Sequence, residues 1–224
     1  MMRNAVSLYR MGLFGLVGVC CFAVLERMHC WKMHKKESRK RMSDGSLRCL
    51  LMSLSGGTGA ILCTRIMKTG FAACIAFLFL CILELVALAD MDTLEIPDGL
   101  VGCLAVLGLL SLRAMPEISL FSRVIGAGTA ILFLILAVMI PGAFGGGDIK
   151  LIAAGGFFLG AQRSVCALFI AVLSGGLWGC RLMLLHKISR KEYMAFGPFL
   201  CLGMAAALFW GEKMIRWYLA PFYL

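Results

Sequence analysis

The chain has 224 residues, of which 61% are hydrophobic and 15% charged, against roughly 45–50% and about 25% in soluble domains. That balance excludes a disordered chain, a collagen-like repeat and a coiled coil, and it argues strongly against a soluble enzyme. The net charge of +10 does not call for a nucleic-acid partner, because eight of the 22 basic residues lie together between Arg27 and Arg48, where a basic loop between apolar segments reads as cytoplasmic.

A bilayer core requires about 20 apolar helical residues. Eight stretches come close: roughly 8–26, 49–64, 70–89, 99–113, 122–141, 149–162, 164–185 and 196–212. The first lacks a small-residue cleavage site and reads as a retained span, not a signal peptide. Gly12, Gly15 and Gly18 on it suit close helix packing. The stretches at 49–64 and 149–162 are weaker, because each carries three glycines. The expected fold is therefore all-α: one polytopic transmembrane helix bundle over residues 1–224, with six to eight spans and eight as the fullest count. With the basic stretch 27–48 in the cytoplasm, alternating spans bring 90–98, 142–148 and 186–195 to the same side and leave both termini outside. The segment 186–195 adds His186, Lys187, Arg190 and Lys191 to that side.

Most of the eleven cysteines sit in apolar runs, where cysteine acts as a small hydrophobe. No C-x-x-C pair occurs, and Cys30 with His29 and His34 reads as an interfacial cluster. No metal and no cofactor is expected.

Ionisable groups at membrane depth are costly and tend to be functional. Five of the twelve acidic residues fall in two places. The first is Asp90-Met91-Asp92-Thr93-Leu94-Glu95-Ile96-Pro97-Asp98, which ends an apolar run. The second is Gly145-Gly146-Gly147-Asp148-Ile149-Lys150, which begins one. Two expected spans lie between them, and an even number of crossings returns the chain to the side it left. Asp90 and Asp148, 58 residues apart, are thus expected at one membrane face.

Two carboxyls that share a proton suit amide hydrolysis: the ionised one takes a proton from water while the protonated one hydrogen-bonds the carbonyl oxygen. The glycines before Asp148 keep side chains away from the carboxyl, permit positive φ and admit a substrate backbone. Pro97 stiffens the turn after Asp90. A phosphate-binding loop is excluded, since G-x-x-x-x-G-K-[ST] is absent. Glu84, inside the stretch 70–89, either pairs with a polar neighbour or lines the cavity.

These residues resemble the type IV prepilin peptidases, the GxGD class of membrane aspartic proteases. The family pattern places an aspartate seven residues before a proline that is followed by Asp or Asn, as Asp90, Pro97 and Asp98 do here. It then places GxGD with a lysine two residues on, matched by Gly145, Gly147, Asp148 and Lys150. Phe196-Gly197-Pro198 resembles the stretch that opens the family's last span. The likeness covers about residues 50–212.

The resemblance implies Asp90 and Asp148 as catalytic pair. It implies cleavage, at the cytoplasmic face of the inner membrane, of the short basic leader of prepilin or pseudopilin substrates. Asp92, Glu95, Asp98, Gly145, Gly146, Gly147 and Lys150 are the expected substrate-binding residues, the acidic ones by charge. Longer members carry a lobe with two C-x-x-C pairs, associated with zinc and with methylating the new N-terminus. Here that place holds only the basic stretch 27–48, so peptidase activity alone is expected. The partners expected are these substrates and membrane lipid. Two other readings use the same carboxylates. A presenilin-like protease would carry a tyrosine before the first aspartate and Pro-Ala-Leu later, where this chain has Ala89 and Pro198-Phe199-Leu200. An ion-coupled transporter would be expected to show an inverted repeat.

Overall fold

The computed structural model describes residues 42–67, 69–139, 145–185 and 195–220, with side chains from residue 54 onward. The stretch 8–26, the Cys30 cluster, the basic residues up to Arg41 and the segment 186–194 lie outside the described residues.

Seven helices and no strand occur among the described residues. They are α1 (Met42–Ile66), α2 (Gly70–Thr93), α3 (Asp98–Ala114), α4 (Leu120–Met139), α5 (Gly146–Leu159), α6 (Ala161–Leu184) and α7 (Gly197–Leu219). The all-α expectation holds. Two boundaries differ from the sequence reading. α1 starts at Met42, so residues 42–48 are helical and not part of a loop. The apolar run expected at 149–162 is broken at Gly160, whose φ of +79° is in the left-handed region. A Cβ there would lie 2.7 Å from Ile118 Cγ2, so both backbone and space require glycine. Beyond the break, Ala161 N–H donates to Ser122 Oγ at 3.0 Å and fixes the start of α6.

Among the described residues α2, α4, α6 and α7 are long and apolar enough to cross a membrane. α3 and α5, at 17 and 14 residues, extend only about 25 and 21 Å, short of a core about 30 Å thick. The outward faces carry exposed Val106, Leu109, Phe121, Val138, Phe169 and Leu177. Apolar area of that kind suits lipid, and helices are the elements that satisfy their own backbone there. The protein is a multi-pass helical membrane protein.

The chain divides into two compact units, Met1–Cys81 and Ile82–Leu224. In the first, α1 and the opening half of α2 bury Ala60, Cys63, Ala76 and Phe79. Gly59 lies close enough to the Leu80 side chain that a Cβ would approach Cδ1 to 3.1 Å.

In the second unit α5 packs against α3, α4, α6 and α7. It is buried nearly all round, with Leu151, Ile152, Phe158 and Leu159 at its core, as expected of a central helix that is apolar on every face. α3 and α4 each bury one stripe: Leu104, Leu107, Gly108 and Ser111 on α3, and Arg123, Gly126, Ala130 and Phe133 on α4. α4 and α5 touch backbone to backbone. A Cβ on Gly126 would run into the carbonyl oxygen of Gly156, and the converse also holds. Small residues permit such close approach where lipid offers helices no hydrophobic drive to associate.

Arg123 closes the C-terminal end of this packing. It is fully buried. Its guanidinium donates to Ser111 O at 3.0 Å, Met115 O at 2.9 Å, Phe158 O at 3.2 Å and Phe157 O at 3.4 Å. Ser111 Oγ also accepts, and Nε donates to Ile118 O at 3.3 Å. The last carbonyls of a helix lack intrahelical donors and carry partial negative charge. One arginine serves the ends of both α3 and α5. The opposite end of α5 is where the candidate site forms.

Candidate active site

Asp90 sits one turn before the end of α2 and is only 5% exposed. Its Oδ2 accepts the Gly197 N–H at 2.8 Å. α2 stops just beyond it. Leu94 takes a left-handed φ of 55° and its N–H returns to Asp90 O at 2.9 Å, the helix-ending conformation more often filled by glycine. Thr93 Oγ1 donates to Ala89 O at 2.8 Å. The chain then passes through Ile96 to Pro97, which caps the start of α3 in extended conformation.

Asp148 sits in the first turn of α5. Its Oδ2 accepts the Gly145 N–H at 3.2 Å, and its own N–H donates to Gly145 O at 3.1 Å. Gly145 has no side chain, so only half of a reciprocal capping box is present. Asp148 is 8% exposed, and its buried Oδ1 has no hydrogen-bond partner among the described residues. Burial pushes this carboxyl up to about 6; the Gly145 N–H pulls it down, and the negative charge of Asp90 pushes it up again. The two aspartates are therefore in electrostatic contact. Cys201, one turn into α7, is within electrostatic reach of both. The end of α2, the start of α5 and the start of α7 thus converge.

The remaining predicted residues surround this point unevenly. Asp92 is half-buried, whereas Glu95 and Asp98 are exposed. Lys150 Nζ pairs with Asp98 Oδ1 at 2.7 Å, with side-chain exposures of 58% and 76%. That pair bridges the two motif segments, and in water it is worth about 0–1 kcal/mol. Glu84 is half-buried on α2.

The glycines do not use the positive φ expected of them. None of Gly145, Gly146 and Gly147 has positive φ, because they form the N-cap and first turn of a helix. What they supply is space. A Cβ on Gly147 would lie 3.0 Å from Ile96 Cβ, so this glycine lets the first motif pack on the second. Gly146 faces open space. No group of three or more metal-ligating side chains gathers among the described residues.

Three contributors were not singled out from sequence: Ile96 against Gly147, Cys201 beside both carboxyls, and the Gly197 amide on Asp90. The Phe196-Gly197-Pro198 stretch was the one available signal for the last.

A family model described as the type IV leader peptidase family matches residues 75–180, a segment that contains both aspartates. The prepilin leader peptidase/N-methyltransferase of Aeromonas hydrophila is 31% identical over 198 residues, covering 86% of this chain and 68% of that protein. This chain belongs to the type IV leader peptidase family. The proteins of the same description from Bacillus subtilis (strain 168) and Legionella pneumophila are each 32% identical, over 64% and 67% of this chain. The chain spans 58% and 55% of the length of these two family members. No solved structure matches the chain.

Proposed function

We propose that this family member is an aspartic endopeptidase. It removes the short basic leader from type IV prepilin-like proteins, with water activated by Asp90 and Asp148. The observation that carries the reading is the pair itself. Two buried aspartates, from motifs 58 residues apart, lie in electrostatic contact, and one of them keeps a buried oxygen without a partner among the described residues.

Asp148 is suited to hold the shared proton, because burial pushes its carboxyl up to about 6 and its buried Oδ1 has no partner among the described residues. In the reaction the ionised carboxyl takes a proton from water as the water oxygen attacks the scissile carbonyl carbon. The protonated carboxyl hydrogen-bonds the carbonyl oxygen. Collapse of the tetrahedral species breaks the C–N bond, and a proton passes to the departing nitrogen. The leader ends in a carboxylate, the mature chain begins with an amine, and the pair regains its single proton.

The site faces the cytoplasm from the inner membrane. Half-buried Asp92 and exposed Glu95 offer negative charge to a basic leader. Asp98 contributes less, because Lys150 neutralises it. Methyl transfer is not part of this activity, since no C-x-x-C pair occurs in the sequence.

Cleavage of a model prepilin by the purified protein in detergent tests this reading, with Asp90→Ala and Asp148→Ala assayed alongside. Mass spectrometry reads the new N-terminus, with S-adenosylmethionine present. The expected result is a cut at the leader junction that requires both aspartates and leaves an unmethylated amine. Wild-type-like processing by either variant sinks the pair.

A further inference from the structure

The first turn of α7 touches the candidate pair through its backbone. Gly197 is the first residue of α7, and its N–H is one of the amides that no helical carbonyl reaches. Asp90 Oδ2 takes that amide at 2.8 Å from 107 residues away, in a buried setting. A hydrogen bond of this kind, from a helix N-terminus to a carboxylate, is both directional and charge-assisted.

Space around Gly197 is exhausted on the same side. A Cβ would lie 2.6 Å from Asp90 Oδ2, 2.9 Å from Cγ and 3.0 Å from Cβ. Three consecutive atoms of one short side chain are too close, so no rotation of a flexible tip relieves the contact. The flanking residues hold the turn in place. Phe196 stacks against Phe133 of α4 with centroids 6.5 Å apart. It also packs against Gly175 of α6, where a Cβ would lie 2.9 Å from its ring. Pro198 sits at the start of the helix, where its missing N–H leaves nothing unsatisfied.

We propose that Phe196-Gly197-Pro198 is the positioning element of the active site: Phe196 anchors the turn to α4 and α6, and the Gly197 amide fixes the Asp90 carboxyl against Asp148. The proposal rests on reading Asp90 and Asp148 as the reacting pair. Gly197 is a positioning residue and touches no substrate. The role requires glycine for want of room, and a backbone amide cannot be supplied by another side chain.

The test combines cleavage kinetics with a stability cycle on the full chain in detergent. Gly197→Ala is expected to lower kcat at least about tenfold while KM for the prepilin stays within about twofold. Gly176→Ala on α6, where a Cβ meets nothing within 4 Å, is the control. Because Gly197→Ala alone can fail to fold, melting temperatures are compared for Gly197→Ala, Asp90→Ala and the double variant. Asp90→Ala removes the contacts at 2.6 and 2.9 Å and leaves only the one to Cβ at 3.0 Å, so the double variant is expected to recover part of the stability lost by Gly197→Ala. Additive losses, or wild-type kcat in Gly197→Ala, overturn the proposal. Cleavage by Asp90→Ala would instead overturn the catalytic reading and leave the stability coupling intact.

Discussion

Asp148 should make this protein lose stability as pH rises, and replacing it with asparagine should remove that loss. Asp148 is in the first turn of α5, before its apolar run and outside the four helices long enough to span a membrane. Its carboxyl is pushed from 3.8 up to about 6, chiefly by burial. The unfolded chain therefore releases this proton at lower pH than the folded chain does. Between those values the folded state binds more protons, so unfolding free energy falls as pH increases. The loss begins near pH 4 and is complete a little above pH 6. At 1.36 kcal/mol per pH unit, the interval from 3.8 to about 6 amounts to roughly 3 kcal/mol. For a chain of this size that corresponds to about 6–12 °C in melting temperature. Asp148→Asn keeps an acceptor for the Gly145 N–H and has no proton to lose. Thermal melts of both proteins in one detergent, from pH 4 to pH 8, measure the difference. The wild type should drop relative to Asp148→Asn through this window and run parallel to it above pH 7. Two curves parallel from pH 4 upward would refute the placement of Asp148 in a buried, poorly solvated site.

Three further outcomes follow from the packing. Gly147→Ala brings a Cβ to 3.0 Å from Ile96 Cβ, so leader cleavage should fall about tenfold, and adding Ile96→Gly, which removes that Cβ, should restore part of it in the same assay. Arg123→Ala strips the donors from the buried carbonyls of Ser111, Met115 and Phe158. It should cost at least about 3 kcal/mol, seen as loss of the monodisperse species in detergent. Gly126→Ala or Gly156→Ala places a Cβ against the opposing carbonyl oxygen and should destabilise by about 1–3 kcal/mol in thermal melts. Gly128→Ala, with nothing within 4 Å, should leave the melt unchanged.

The sequence exposed what hydropathy and spacing encode. Apolar runs located the helices, because in lipid a helix must be apolar along its length and satisfy its own backbone. Two runs between Asp90 and Asp148 led to the expectation that both lie at one face, although α3, the first of them, is shorter than a full span. Features that depend on a single dihedral or on another helix's backbone stayed hidden. Gly160 breaks an apolar run through its φ, and hydropathy is blind to φ. Gly145–Gly147 were expected to permit positive φ, yet they form the N-cap and first turn of α5 without it, and Gly147 is needed for its closeness to Ile96. Arg123 gave no sign of its role, because the carbonyls it serves belong to α3 and α5. The Gly197 N–H that Asp90 accepts is an amide that every non-proline residue possesses, so only the Phe196-Gly197-Pro198 stretch pointed to it.

The two ends of α5 explain why a helix too short to cross a bilayer sits at the centre of this unit. Its C-terminal end is closed: Phe158, Leu159 and Gly160 are buried, and the carbonyls there are served by Arg123. Its N-terminal end is open at one edge, with Gly145, Gly146 and Lys150 exposed beside buried Asp148. The positive end of a helix favours an anion, and the Gly145 N–H adds to that, while burial and Asp90 oppose it. The balance of these effects leaves the Asp148 carboxyl raised to about 6. A longer α5 with solvated ends would lose the burial, and the carboxyl would return toward its ordinary value. The short helix thus carries the burial that raises Asp148 at one end and carbonyls served by Arg123 at the other.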